Sequence, residues 1–185
     1  QLEINLVVSK ESFPRPINSL VDGTYLKCTM AKCVCLVRGD GGISGILHLS
    51  QITEDAPTIV EGEVRGLAPG KHGISVHVYG DLSDASTSCG GIFNPFGKNH
   101  GGPDDAERKA GDLGNILTSD DGSPTVISLE DKIVKLIGPQ SIIGRSIVVH
   151  ANEDDCGRGG HELSLVNGNT GMRLASGVIG ISTAS

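Results

Sequence analysis

What most restricts the fold of this chain is a succession of short alternating runs, each closed by a turn-forming break. From Ala31 the sequence reads KCVCLVRGDGG, ISGILHLSQITEDA, TIVEGEVRGLAPGKHG and ISVHVYGD, with Asp-Gly, Glu-Asp-Ala-Pro and Pro-Gly at the breaks. Alternation with period two turns one set of side chains to a core and the other to solvent, and breaks spaced this closely mark a meander rather than strand–helix units. The pattern is all-β and antiparallel, and a barrel or sandwich follows. After a long interruption strands resume as GNILTSDDGSP, TVISLEDKIVKLIG and SIIGRSIVVHAN, and once more as MRLASGVIGIS. With no Trp, three Phe and two Tyr, the core has to be built from Val, Ile and Leu, which suit a pleated surface.

A chain of 185 residues can bury one sizeable core, and residues 31–185 are assigned to it. Residues 1–30 read differently: INLVV is a strand candidate, SFPRPINS breaks it and DGT turns, marking an N-terminal extension that lies on, or pairs with, the main domain. A net charge of -7 argues against nucleic acid or an anionic membrane as partner, because displacing counterions takes a basic patch. No run approaches the roughly 18 apolar residues that span a bilayer. QLEINLVVSKESFPRP lacks the basic region of a signal peptide, so the expectation is a mature, secreted, extracellular chain beginning at Gln1. Five cysteines leave at least one thiol unpaired within a monomer, and none of their spacings is CxxC. Cys33 and Cys35 share one strand face, where a small buried hydrophobe is expected for at least Cys35.

Two stretches have no periodicity. About thirty residues follow Asp81, and a second segment runs from Glu153 to Gly171 (EDDCGRGGHELSLVNGNTG); irregular segments of that length inside one domain are functional by default. The first belongs to HGISVHVYGDLSDASTSCGGIFNPFGKNHGGPDDAERKAGDLGN, His72 to Asn115, which has the His, Asp, Gly and Pro punctuation of a metal-binding loop but too few imidazoles.

In order along the chain stand GLAPGKHG (Gly66 to Gly73), GD (Gly80, Asp81), FNP (Phe93 to Pro95), HGGP (His100 to Pro103) and GDLGN (Gly111 to Asn115). IIGRSIVVH (Ile142 to His150), DDCGRGGHELS (Asp154 to Ser164) and GNTGMRLASGVIGI (Gly168 to Ile181) follow. From Ala31 to Ser182 this series resembles the copper/zinc superoxide dismutases. The resemblance implies an eight-stranded Greek-key β-barrel with a metal site outside the barrel wall, roofed by the two long loops.

Carried over residue by residue, two of four copper ligands remain, His77 and His150. The first position of the His-x-His pair is Ser75, and the bridging position before FNP is Ile92. Serine is a poor copper ligand beside imidazole, and isoleucine is none. At the zinc site the counterparts are Ile92, His100, Lys109 and Asp112, again two of four. Lys109 would repel a dication, and its ammonium is expected to replace the metal by pairing with Asp112. His72 resembles a framework residue that makes a hydrogen bond. Asp154 matches the carboxylate that links copper and zinc ligands, and Arg173 matches the arginine that steers the superoxide anion.

The family's disulfide positions are Ser86 and Ser176 here. Cys89 with Cys156 is a candidate replacement, and Cys28 with Cys33 a weaker one, neither decided by spacing. His48, in GILHLS, is read as a surface or satisfied core residue, and His161 as a loop residue that hydrogen-bonds backbone. No catalytic residue is assigned.

The expectation is therefore a non-enzymatic extracellular protein, vestigial at both metal sites, with no tightly bound cofactor and weak binding of copper, zinc or another divalent metal there or at acidic surface such as Asp104, Asp105, Asp120 and Asp121. The chain resembles the bivalve haemolymph proteins of the cavortin and dominin group, for which metal transport and defence roles are suggested. Two alternatives stand beside it. SCGGIFNP and CVC are similar to features of the copper chaperone for superoxide dismutase, whose middle domain shares this fold, and a residual dismutase using His77, His150 and Ser75 is the third reading. Leu36, Ile143, Val178 and Ile181 fall on the family's dimer face, implying a homodimer or a higher homo-oligomer.

Overall fold

The computed structural model describes residues 19–21, 24–26 and 30–183. Two short strands, β1 (Ser19–Val21) and β2 (Thr24–Leu26), pair antiparallel; the rest of the extension assigned to residues 1–30, Cys28 included, lies outside the described residues. The main domain is a single eight-stranded antiparallel sheet of β3 (Ala31–Gly39), β4 (Ser44–Gln51), β5 (Thr58–Arg65), β6 (Gly70–His77), β7 (Asp112–Thr118), β8 (Thr125–Asp131), β9 (Ser146–His150) and β10 (Arg173–Ile181). Its spatial order is β7-β6-β9-β10-β3-β4-β5-β8. The outer strands β7 and β8 come together at Thr118 and Thr125, whose hydroxyls lie 2.7 Å apart, so the sheet curls into a nearly closed barrel. A short helix, α1 (Ser164–Asn167), lies in the second long loop, and no helix among the described residues is long and apolar enough to cross a membrane.

The alternation read from sequence is what fills the barrel. Cys33, Cys35 and Val37 of β3, Leu47 and Leu49 of β4, and Val60 and Val64 of β5 are buried, while Leu36, Arg38, Ile46, His48 and Glu61 between them are exposed. At Gly62 of β5 a Cβ would lie 2.0 Å from the Ile46 carbonyl oxygen, so only glycine lets β4 approach this closely. KIVKLIG does not extend β8. It forms an irregular plug in which Val134 and Leu136 are buried, held by the Thr58 hydroxyl on the Val134 carbonyl at 2.8 Å and by Gln51 Oε1, which accepts the N–H groups of Leu136 and Ile137 at 2.7 and 2.9 Å.

On β6 and β9 alternation works differently, because both faces are covered. Ile74, Val76, Ile147 and Val149 enter the core, and Ser75, His77, Val148 and His150 are buried beneath the loops 78–111 and 151–172. That second covered face is the site.

Candidate metal centre

Ser75 and His77 are two residues apart on β6 and share its outer face, and pairing of Ile74 with Val149 and of Ser75 with Val148 sets His150, at the end of β9, beside them. The Ser75 hydroxyl lies between the two imidazoles, 3.1 Å from His77 Nε2 and 3.2 Å from His150 Nε2. The ring centroids are 5.6 Å apart. Proton positions follow from the partners. His77 Nδ1 faces the Gly90 carbonyl at 2.8 Å and so carries a proton, which leaves Nε2 to accept the Ser75 hydroxyl. Ser75 has one proton to give, so it cannot donate to both rings; His150 Nδ1 lies 3.2 Å from the Thr170 hydroxyl, which itself donates to the Asn167 carbonyl at 3.2 Å.

Both rings are neutral at ordinary pH. Burial drives His77 down to about 3 against the opposing bond to Gly90, with the Arg173 cation adding to the shift. Burial and Arg173 likewise bring His150 down to about 4. Ile92 pairs through its backbone with His77 and brings no metal donor to that position.

His100 is a different histidine. Its Nδ1 is 2.8 Å from Asp112 Oδ1 and its Nε2 2.7 Å from Asp154 Oδ1. Burial disfavours its charge, but the hydrogen bonds and negative charges of Asp112 and Asp154 outweigh that and raise it to about 9. Here two sequence expectations are corrected. Lys109 does not pair with Asp112 through its ammonium, which reaches the Val166 carbonyl at 2.6 Å, while its backbone N–H donates to Asp112 Oδ2 at 2.8 Å. Asp154 was expected to link copper-side and zinc-side ligands. Of the three site histidines it hydrogen-bonds only His100, and its Oδ1 also accepts the Cys156 N–H at 2.7 Å.

His72 packs below the site with Nδ1 2.9 Å from the His150 carbonyl and Nε2 2.8 Å from that of Ala68, bracing the end of β9. Arg173 donates to the carbonyls of Ser86 and Gly90 at 2.5 and 2.6 Å, so its guanidinium fastens the first loop and shares Gly90 with His77. Ser86 and Ser176 meet directly, Oγ to Oγ at 3.1 Å. Cys89 and Cys156 are both free thiols and do not form the suggested bridge. Each is turned to a local carbonyl, Cys89 to Asp81 at 3.6 Å and Cys156 to Asp154 at 3.7 Å. Cys33 is a free buried thiol, and its proposed partner Cys28 lies outside the described residues. His48 is exposed, and His161 accepts the Leu163 N–H at 3.1 Å. Asp105 pairs with Arg158 at 2.5 Å, and Asp121 accepts the Ser123 N–H at 2.9 Å.

Sequence reasoning missed Arg108. It is 2 % exposed and donates to the Asp112 carbonyl at 2.5 Å and to Asp131 at 2.6 Å, so a buried ion pair ties the first loop to the end of β8. Two adjacent basic residues, Arg108 and Lys109, gave no signal as to which turns inward.

The donor sets can be tested against the metals they would hold. Two imidazoles and a hydroxyl converge at the copper position and fit a weak, partial coordination shell. At the zinc position Ile92 offers no donor, Lys109 is turned away and both nitrogens of His100 already face carboxylates; these residues do not fit zinc. Among the described residues no group of three or more His, Cys, Asp and Glu is arranged to hold a metal ion. Compared with known families, residues 43–179 match the family model described as copper/zinc superoxide dismutase.

Proposed function

Since this chain belongs to the copper/zinc superoxide dismutase family, we propose that it is a member without dismutase turnover, an extracellular protein that binds copper weakly and serves in metal transport or haemolymph defence. The observation that carries the reading is the Ser75 hydroxyl between His77 and His150, with Ile92 beside them. Copper, when bound, supplies the one-electron exchange with superoxide. Cycling requires donors that suit both oxidation states, and here half of the imidazole set is gone. A metal entering between His77 and His150 must also displace the Ser75 hydrogen bonds, which weakens binding further. Arg173 remains, but an anion-guiding arginine acts on rate and not on redox capacity.

The same family membership supports a homodimer. Leu36, Ile46, Val178 and Ile181 are 50, 48, 37 and 79 % exposed, an apolar set along β3, β4 and β10 that a second copy would cover.

The test is metal analysis after dialysis together with a superoxide assay in added copper. Substoichiometric, readily removed copper and no dismutation are expected. Tight stoichiometric copper with dismutation would overturn the proposal.

A further inference from the structure

Beside the turn that follows β3, a cleft of about 520 Å³ opens between the first loop and the start of β10, and none of Ser75, His77, His100 and His150 lines it. That volume suits a small organic molecule. Antiparallel pairing sets Arg38 of β3 directly opposite Ser176 of β10, so both side chains stand on the same face of the sheet. Ser176 is buried beneath the first loop, whose Ser86 hydroxyl donates to it at 3.1 Å, while Arg38 is exposed. Arg173 enters from the start of β10, its guanidinium donating to the Ser86 and Thr87 carbonyls at 2.5 and 3.3 Å.

Both arginines line the cleft, and among the described residues neither belongs to an ion pair. The carbonyls that Arg173 meets satisfy hydrogens but bring no negative charge. Asp40 is the one other charged residue of the lining, so two cations face one carboxylate. A positive charge is left over there, in a chain whose net charge is -7. Leu82, Met172 and Leu174 supply an apolar wall, in which the flexible thioether of Met172 can follow the shape of what it covers.

We propose that this cleft is a binding site for a small organic carboxylate, its anionic group held by Arg38 and Arg173 and its apolar body against Leu82 and Met172. The class follows from charge and shape. A planar guanidinium matches a carboxylate through two parallel hydrogen bonds. One surplus positive charge matches a monoanion, and Asp40 opposes the second charge of a phosphate ester. Polyanions such as nucleic acid need a run of cations to displace counterions, which two arginines inside a cleft do not provide. An inorganic anion would leave the apolar wall uncovered.

Titration of the intact protein with benzoate, phenyl phosphate and inorganic phosphate, followed by calorimetry and nuclear magnetic resonance, tests this. The copper position takes no part, so the result does not depend on whether copper or dismutation is found. Benzoate is expected to bind at one site, more tightly than either phosphate, and to move the resonances of Leu82, Met172 and Ser176 and not those of His77 and His150. Arg38→Gln is expected to weaken benzoate binding about tenfold or more, through loss of one charge-assisted pair. Arg38 is exposed and in no ion pair, so this substitution leaves the fold intact, and Leu82→Asp is a second variant with the same expected loss. Absence of saturable benzoate binding at millimolar concentration, phosphate binding as tight as that of benzoate, undiminished binding by Arg38→Gln, or shifts confined to the histidines would each overturn the proposal.

Discussion

Replacing Ser86 and Ser176 together by cysteine should staple the first loop to the last strand. The two hydroxyl oxygens lie 3.1 Å apart across a sequence separation of 90. A disulfide needs its sulfurs at about 2.05 Å, and the longer C–S bonds carry them toward each other, so a small side-chain rotation closes the bond. Closing a loop of about 90 residues removes about 4.6 kcal/mol of chain entropy from the unfolded state, an upper figure because native strain subtracts from it. For a protein of this size each kcal/mol moves the melting temperature by about 2–4 °C, so a rise of roughly 5–15 °C is expected. The oxidised double variant should titrate no more free thiols than the parent, and reductant should remove its extra stability. Each single variant should lack the gain. The reasoning fails if both single variants fold but the pair stays reduced under mild oxidant. It also fails if peptide mapping finds position 176 bridged to Cys89, since that would place Ser86 elsewhere.

Two further outcomes follow from charge and surface. His100 has a folded pKa of about 9 against an ordinary 6.5, so its contribution is complete below pH 6.5 and is lost as pH rises to about 9; the shift corresponds to about 3 kcal/mol. His77 and His150, held at about 3 and 4, act in the opposite sense, and their contribution is complete above pH 6.5 and lost as pH falls toward those values. Urea unfolding across the pH range should show both limbs, with His100→Gln flattening the alkaline one; a parent protein equally stable at pH 6.5 and 9 contradicts the assignment. Sedimentation velocity should find a dimer that Leu36→Glu with Ile181→Glu converts to monomer, and a monomeric parent at every concentration sinks the homodimer.

The barrel was legible in the sequence because its strands alternate and its turns are marked. Cys33, Cys35, Val37, Leu47 and Leu49 point inward at every second residue, and nothing but a pleated strand produces that spacing. KIVKLIG misled for the same reason. Apolar alternation reports burial, and Val134 and Leu136 are buried, but their backbone is satisfied by Thr58 and Gln51 instead of by a neighbouring strand. Motif matching set Ser75 and Ile92 at ligand positions of the resembled family. It could not say where Lys109 would point or what would take up the charge of Asp112. Those outcomes depend on distances of a few tenths of an ångström between segments far apart in the chain. Arg108 was invisible likewise, because only its planar guanidinium can reach a carbonyl and a carboxylate at once, and that need arises after the loop has folded.

The three site histidines take their protonation from their neighbours. His77 and His150 make no hydrogen bond to a carboxylate, and burial together with the Arg173 cation keeps them neutral against the weaker pull of Asp154 on His150. A hydroxyl proton from Ser75 suffices to join them. His100 faces two carboxylates, and the same degree of enclosure now favours the charged ring, because each N–H meets an acceptor stronger than water could supply in that volume. Reversing either arrangement leaves a buried group unpaired: a neutral His100 would set a lone pair against a carboxylate, and a charged His77 would bring a second cation toward Arg173. Each such group costs about 1–3 kcal/mol or more, so the proton pattern is fixed by its neighbours. On the proposed reading, Ser75→His alone removes the hydroxyl between His77 and His150 and adds no donor at Ile92. Gain of dismutase turnover then requires Ser75→His, Ile92→His and Lys109→His together, and Ser75→His alone should unfold at lower urea than the parent.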